Sequence, residues 1–149
     1  MCWASKHLKG IMRVVTTSMK GMDKLLEELK GKWRPSDREA AEVEKAAAAF
    51  VRKLDSSLKR ARVRAKPVVG GSGAKGTWLR GMHDIDVFVC FEYERYKGKS
   101  GELSEFLAKA IKRAFPKHER LHGSRDYFRV RYGNYNFELV PILKIKKAT

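Results

Sequence analysis

Asp84-Ile85-Asp86 sets two carboxylates two residues apart at the start of DIDVFVCFE, a run rich in strand-forming residues. Residues i and i+2 of a strand share a face, so the two acids stand side by side while Ile85 and Val87 turn to the core. Neighbouring anions repel, and a divalent cation between them removes that cost. Ligation by oxygen alone suits Mg²⁺, which keeps several waters and also binds substrate phosphates. A bare Asp-x-Asp equally describes a solvated strand edge. Glu138, in Phe137-Glu138-Leu139-Val140-Pro141, is the third acid. Alternation turns Phe137 and Leu139 inward and Glu138 to the other face. If its strand neighbours the Asp strand, a three-carboxylate cluster results. That is the recipe for two-metal phosphoryl or nucleotidyl transfer, with one ion activating the attacking hydroxyl and the other neutralising triphosphate and leaving pyrophosphate.

Ahead of the acids lies Gly70-Gly71-Ser72-Gly73-Ala74-Lys75-Gly76-Thr77-Trp78-Leu79. Its glycines let backbone amides approach a bound group, Ser72 adds a hydroxyl and Lys75 a cation, together a cradle for polyphosphate oxygens. A glycine-rich loop after a strand is on its own as compatible with an ordinary turn. No Gly-Lys-Ser/Thr closes it at the spacing of a Walker loop. The four histidines, His7, His83, His118 and His122, have no zinc-ligand spacing with Cys2 or Cys90. Cys90, inside the apolar strand, is expected in the core rather than as a nucleophile.

The elements that must hold these residues follow from periodicity. Ser36, with Glu39 three residues later, forms a capping-box pattern opening a helix that should run to about Lys59. Val43, Ala47, Phe50, Val51, Leu54 and Leu58 make its apolar stripe. Pro67 enforces extended chain, so Val68 and Val69 should begin a strand. An amphipathic helix is predicted over 102–115, with Leu103, Phe106, Leu107, Ala110 and Ile111 inward. Strands over 127–132 and 135–142 should meet in a hairpin turn at Gly133-Asn134. Residues 1–33 read as an N-terminal extension, partly helical, in which Met22, Leu25, Leu26 and Leu29 fall at helical spacing after an irregular stretch from Met12. The expected fold is an α+β domain with a small mixed sheet flanked by helices.

The quoted blocks, Gly71-Ser72, Lys75-Gly76-Thr77-Trp78-Leu79 and Asp84-x-Asp86, resemble the nucleotidyltransferase superfamily of DNA polymerase beta. Over about residues 36–147 the pattern is similar to the catalytic head of the archaeal-type (class I) CCA-adding enzymes. The resemblance implies a polymerase-beta-like palm, with residues 34–149 as its catalytic domain. It implies transfer of nucleotides from CTP and ATP to an RNA 3′-hydroxyl, with tRNA CCA-end synthesis or repair as the leading reading. Gly71, Ser72 and Lys75 would then hold the triphosphate, and Asp84, Asp86 and Glu138 two Mg²⁺ ions. The family usually has Asp where this chain has Glu138. It often has His-Pro-Tyr where this chain reads Arg125-Asp126-Tyr127, so Arg125 is either a charged triphosphate donor or a plain surface residue. Neck, body and tail domains are expected to be absent, to be replaced by a partner chain or by self-association. Two alternatives stay open: a minimal enzyme for oligoadenylation or AMP transfer, and a weakly active nucleotide- or RNA-binding subunit completed by a partner.

Charge supports a polyanionic partner. Among 149 residues, 33 Lys and Arg outweigh 17 Asp and Glu, giving +16. Self-repulsion makes such an excess useless to the fold, whereas RNA rewards it. The densest run supplies Lys59, Arg60, Arg62, Arg64 and Lys66 as candidate RNA contacts. No apolar run reaches membrane-spanning length, which excludes a transmembrane protein. Residues 1–7 lack the uninterrupted apolar stretch of a signal peptide, and the expected location is cytoplasmic.

Overall fold

A computed structural model describes residues 19–71, 80–81 and 84–145. Residues 19–33 are helical (α1), so the helix begins earlier than the irregular spacing before Met22 suggested. Its Met22, Leu25, Leu26 and Leu29 are exposed. Helix α2 (Asp37–Arg60) opens on the predicted capping box: the Glu39 amide donates to Ser36 Oγ at 3.2 Å, and the Ser36 amide to Glu39 Oε2 at 2.8 Å. Val43, Ala47, Phe50, Leu54 and Leu58 form its buried stripe, with Val51 half-buried beside them. The helix stops in a Schellman turn. Arg62 N–H donates to the Lys59 carbonyl at 3.0 Å and Val63 N–H to the Leu58 carbonyl at 2.9 Å. Arg62 stands at φ 56°, where glycine is usual and a Cβ costs about 1–2 kcal/mol.

Five strands form one sheet in the order β1-β2-β5-β4-β3. They are β1 (Ala65–Val69), β2 (Asp84–Glu92), β3 (His118–His122), β4 (Asp126–Tyr132) and β5 (Tyr135–Lys144). The strand expected from Val68 starts three residues earlier, at Ala65, and runs through Pro67. Proline is tolerated there because β1 is an edge strand. Helix α3 (Tyr93–Tyr96), a 3₁₀ turn (Lys97–Glu102) and α4 (Leu103–Ala114) cross from β2 toward β3, and β5 returns parallel to β2. The β4–β5 hairpin turns at Gly133-Asn134, with Gly133 at φ 61° and Tyr132 paired with Tyr135, as predicted.

One face of the sheet carries the core. Ile85, Val87, Val89 and Phe91 of β2, with Phe128, Val130, Phe137 and Leu139, bury against α2 and α4. Phe50 stacks on Phe137 at 3.8 Å between ring centroids, and Ser57 Oγ donates to the Ala110 carbonyl to tie the two helices. Each such fully buried apolar side chain contributes about 1.5–3 kcal/mol. The other face is only half-buried and presents Asp84, Asp86, Phe88, Cys90 and Glu92 along β2. Cys90 therefore leaves the core to Val89 and Phe91, against expectation, because alternation from Ile85 fixes its side. No described helix is long and apolar enough to cross a membrane.

Candidate active site

Because β5 lies directly beside β2, the register pairs Asp86 with Glu138 and Asp84 with Asn136. Adjacent strands are about 4.8 Å apart and same-face neighbours about 6.6 Å along a strand, so the three acids share one small patch of the half-buried face. Sheet pairing alone brings together residues more than fifty positions apart in the chain.

Gly70 and Gly71, directly after β1, are anchored against this patch. Gly70 N–H donates to the Asp86 carbonyl at 2.8 Å. Gly71 has φ +59°, and a Cβ there would lie 2.4 Å from Asp86 Oδ2. Only glycine allows the loop to leave β1 in this conformation and lie against the carboxylate. A Cβ on Gly70 would meet the Phe88 ring at 2.1 Å, so the neighbouring position is equally confined. Ser72 and Lys75 lie outside the described residues.

Each acid has its own surroundings. Glu138 Oε1 accepts from Arg129 Nη2 at 2.7 Å, and Asp84 Oδ1 accepts from Asn136 Nδ2 at 3.1 Å. Asp86 is half-buried, and burial first, then the charges of Glu138 and Asp84, push its carboxyl above the usual aspartate value. Arg129 stays charged: the hydrogen bond to Glu138 raises it further, and the charges of Glu138 and Asp84 add to the effect. Its Nε is buried without a hydrogen-bond partner among the described residues. With Glu138 turned to Arg129 and Asp84 to Asn136, no three His, Cys, Asp or Glu side chains among the described residues are gathered to hold a metal ion. The donor set nonetheless fits a hard cation. It is all oxygen, and the charges of Glu138 and Asp84 both bear on the half-buried Asp86 carboxyl.

The other predicted site residues lie elsewhere. Arg125 is exposed at the turn before β4, four residues from Arg129 in the direction away from Asp84. The structure does not bring it to the carboxylates. The basic residue that does meet them is Arg129, opposite Glu138 in the β4–β5 register. Alternation within Asp126–Tyr132 could have flagged its face, but only the register shows its partner. Lys59, Arg60, Arg62, Arg64 and Lys66 lie between the end of α2 and β1, and Lys66 pairs with Cys90 near the far end of β2. They form a group apart from the acids. His118 Nδ1 meets the Phe115 carbonyl at 2.7 Å and His122 Nδ1 meets Asp126 Oδ1 at 2.7 Å, which are structural roles. Burial raises the Cys90 thiol, which argues against a reactive thiolate.

Comparison with known proteins gives this geometry a setting. Residues 51–147 match the family described as "Nucleotidyltransferase domain". The CCA-adding enzyme of Nanoarchaeum equitans is 47% identical over 77 residues, covering 52% of this chain and 18% of that protein. The CCA-adding enzyme of Thermococcus gammatolerans is 32% identical over 120 residues, covering 80% of this chain and 26% of that protein. The chain thus spans about a fifth to a quarter of the length of these relatives. Among solved structures, CdnC of E. coli MS115-1 with ATP superposes with a TM-score of 0.60 at 24% identity, covering 78% of this chain and 39% of that one. Cid1, described by its RNA terminal uridylyl transferase activity, gives 0.58 at 20% identity, covering 82% and 36%. At these identities the structural likeness concerns the fold alone.

Proposed function

The chain belongs to the nucleotidyltransferase domain family, and from that premise we propose that it transfers a nucleoside monophosphate from CTP or ATP to an RNA 3′-hydroxyl. The proposed acceptor is a tRNA end lacking CCA, in keeping with the CCA-adding relatives. One observation carries the reading: Asp86 and Glu138 are direct partners across β2 and β5, and Gly71 lies against Asp86 at the root of the loop.

In the proposed reaction the 3′-hydroxyl oxygen bonds to the α-phosphorus. The bond from that phosphorus to the leaving pyrophosphate breaks, and the hydroxyl proton departs toward the acidic cluster. Asp84, Asp86 and Glu138 would hold two Mg²⁺ ions. When bound, such ions lower the cost of deprotonating the hydroxyl and neutralise the triphosphate. The chain's own residues do the positioning. Gly71, with Ser72 and Lys75, would cradle the triphosphate beside Asp86. Arg129 restrains Glu138, whose extra methylene otherwise widens its reach, and the unpartnered Nε of Arg129 gains from any ligand oxygen that approaches. Residues 34–149 form the catalytic unit in this reading.

The engagement of Glu138 by Arg129 also favours a second reading, a weakly active nucleotide- or RNA-binding subunit completed by a partner. One assay separates the two. Protein, Mg²⁺ and labelled CTP or ATP are incubated with a tRNA ending before CCA. The expected result is label on the tRNA, lost in Asp86→Asn. No label on any RNA, with RNA and triphosphate still bound, would favour the subunit.

A further inference from the structure

At the end of the sheet opposite the carboxylates lies a groove of about 1190 Å³. Lys59, Arg62, Arg64, Lys66, Arg95 and Lys144 line it, against three carboxylates, Asp55, Glu92 and Glu94. Asp55 is taken by Lys59 at 2.6 Å, and Glu94 pairs with Lys97 at 3.1 Å. Arg62, Arg64, Lys66, Arg95 and Lys144 form no salt bridge with any described residue. Five cations outside these salt bridges converge from four segments: the turn into β1, β1 itself, helix α3, and the end of β5. Their mutual repulsion is a cost to the fold that an anion would reverse.

Arg62 is an independent sign. It occupies the left-handed position of the Schellman turn, φ 56°, which glycine would fill without strain. Its side chain gains no salt bridge in return. A guanidinium kept at a strained position without an internal partner is placed for something outside the chain. Tyr93, partly exposed at the same wall, holds Lys97 Nζ 6.0 Å over its ring.

We propose that this groove docks the phosphate backbone of the acceptor RNA upstream of its 3′ end, as a site separate from the carboxylates; the inference rests on RNA being the acceptor. Cys90 and Glu92, in the groove, are four and six residues along β2 from Asp86. At about 3.3 Å per residue, these two groove residues are about 13–20 Å from Asp86. A long acceptor can occupy both sites, and a dinucleotide held at the carboxylates is too short to do so.

The test is fluorescence anisotropy of the full chain with a labelled tRNA and with a labelled dinucleotide, across a salt series. Arg62→Gly, Arg95→Gln and Lys144→Gln are compared with Lys112→Gln, which removes the same charge from exposed α4. Each groove variant should weaken tRNA binding about five- to eightfold at 0.1 M salt. Each should also reduce the slope of log K against log salt by about 0.7–0.9. Dinucleotide binding should not change, and Arg62→Gly should melt at a higher temperature than wild type. Groove variants no weaker than Lys112→Gln would overturn the proposal, as would an equal loss for the dinucleotide. If wild type labels no RNA yet the groove variants still weaken tRNA binding, the catalytic reading fails and the groove stands. If wild type labels tRNA and the groove variants bind it unaltered, the groove fails and the catalytic reading stands.

Discussion

Replacing Gly71 by alanine should separate catalysis from stability. The new Cβ would start 2.4 Å from Asp86 Oδ2, but 3.4 Å from its Cγ and 3.5 Å from its Cβ. Only the terminal oxygen is in the way, so the carboxylate can swing aside, and relief to ordinary contact needs a retreat of about 1 Å. A misplacement of that size costs about 10²-fold in rate. The stability cost is the left-handed φ of +59°, about 1–2 kcal/mol for a residue bearing Cβ. Gly133→Ala is the matched control: its φ is +61° with nothing within 4 Å of the added carbon. Both variants should therefore lose similar stability by thermal melting, while only Gly71→Ala loses about 10²-fold in kcat for nucleotide incorporation. Wild-type kcat in Gly71→Ala, with the same melting shift as Gly133→Ala, would refute the view that this contact positions Asp86.

Three further variants test the charges. Asp86→Asn should abolish nucleotide transfer, by about 10³-fold or more, since in the proposed reaction a metal's several kcal/mol of transition-state stabilisation would depend on that ligand. The same variant should melt higher than wild type at neutral pH. Burial and the neighbouring acids raise the Asp86 carboxyl, so its contribution to stability is present below the ordinary aspartate value and lost as pH rises through the raised one; the gain should therefore shrink in melts near pH 4. Arg129→Gln frees one negative charge beside the cluster. At about 6 Å in an effective dielectric of about 40 this favours a divalent cation by roughly 2–3 kcal/mol before salt screening, so at least tenfold, which isothermal titration would read. Lys75→Ala should weaken triphosphate binding more than monophosphate binding, because in the proposed cradle its charge would serve the outer phosphates; an equal effect on both nucleotides would remove the loop's proposed role.

The parts of the molecule legible in sequence are those with local physics. The capping box at Ser36 and Glu39, the Gly133-Asn134 hairpin and the strict alternation of β2 each declare themselves within a few residues. Alternation also places Asp84 and Asp86 on a shared face. Strand β3, HERLH, was not legible because it is a polar edge strand. Arg120 secures it from outside, 5.7 Å over the Phe128 ring and bridged to Glu105 and Asp126 at 2.7 Å. Arg129 stayed hidden because its importance lies in the β4–β5 register, and Arg125 drew attention through its place in a family pattern. The groove joins Arg62 to Arg95 and Lys144, which no spacing rule connects.

The central claim is that Asp84, Asp86 and Glu138 form one divalent-cation site at the nucleotide. Titration of Mn²⁺ by electron paramagnetic resonance, with a non-hydrolysable ATP analogue present, tests it without relying on turnover. Wild type should bind Mn²⁺ tightly, Asp86→Asn should lose that binding, and Glu138→Gln should weaken it. Equal Mn²⁺ binding by all three proteins would contradict the claim.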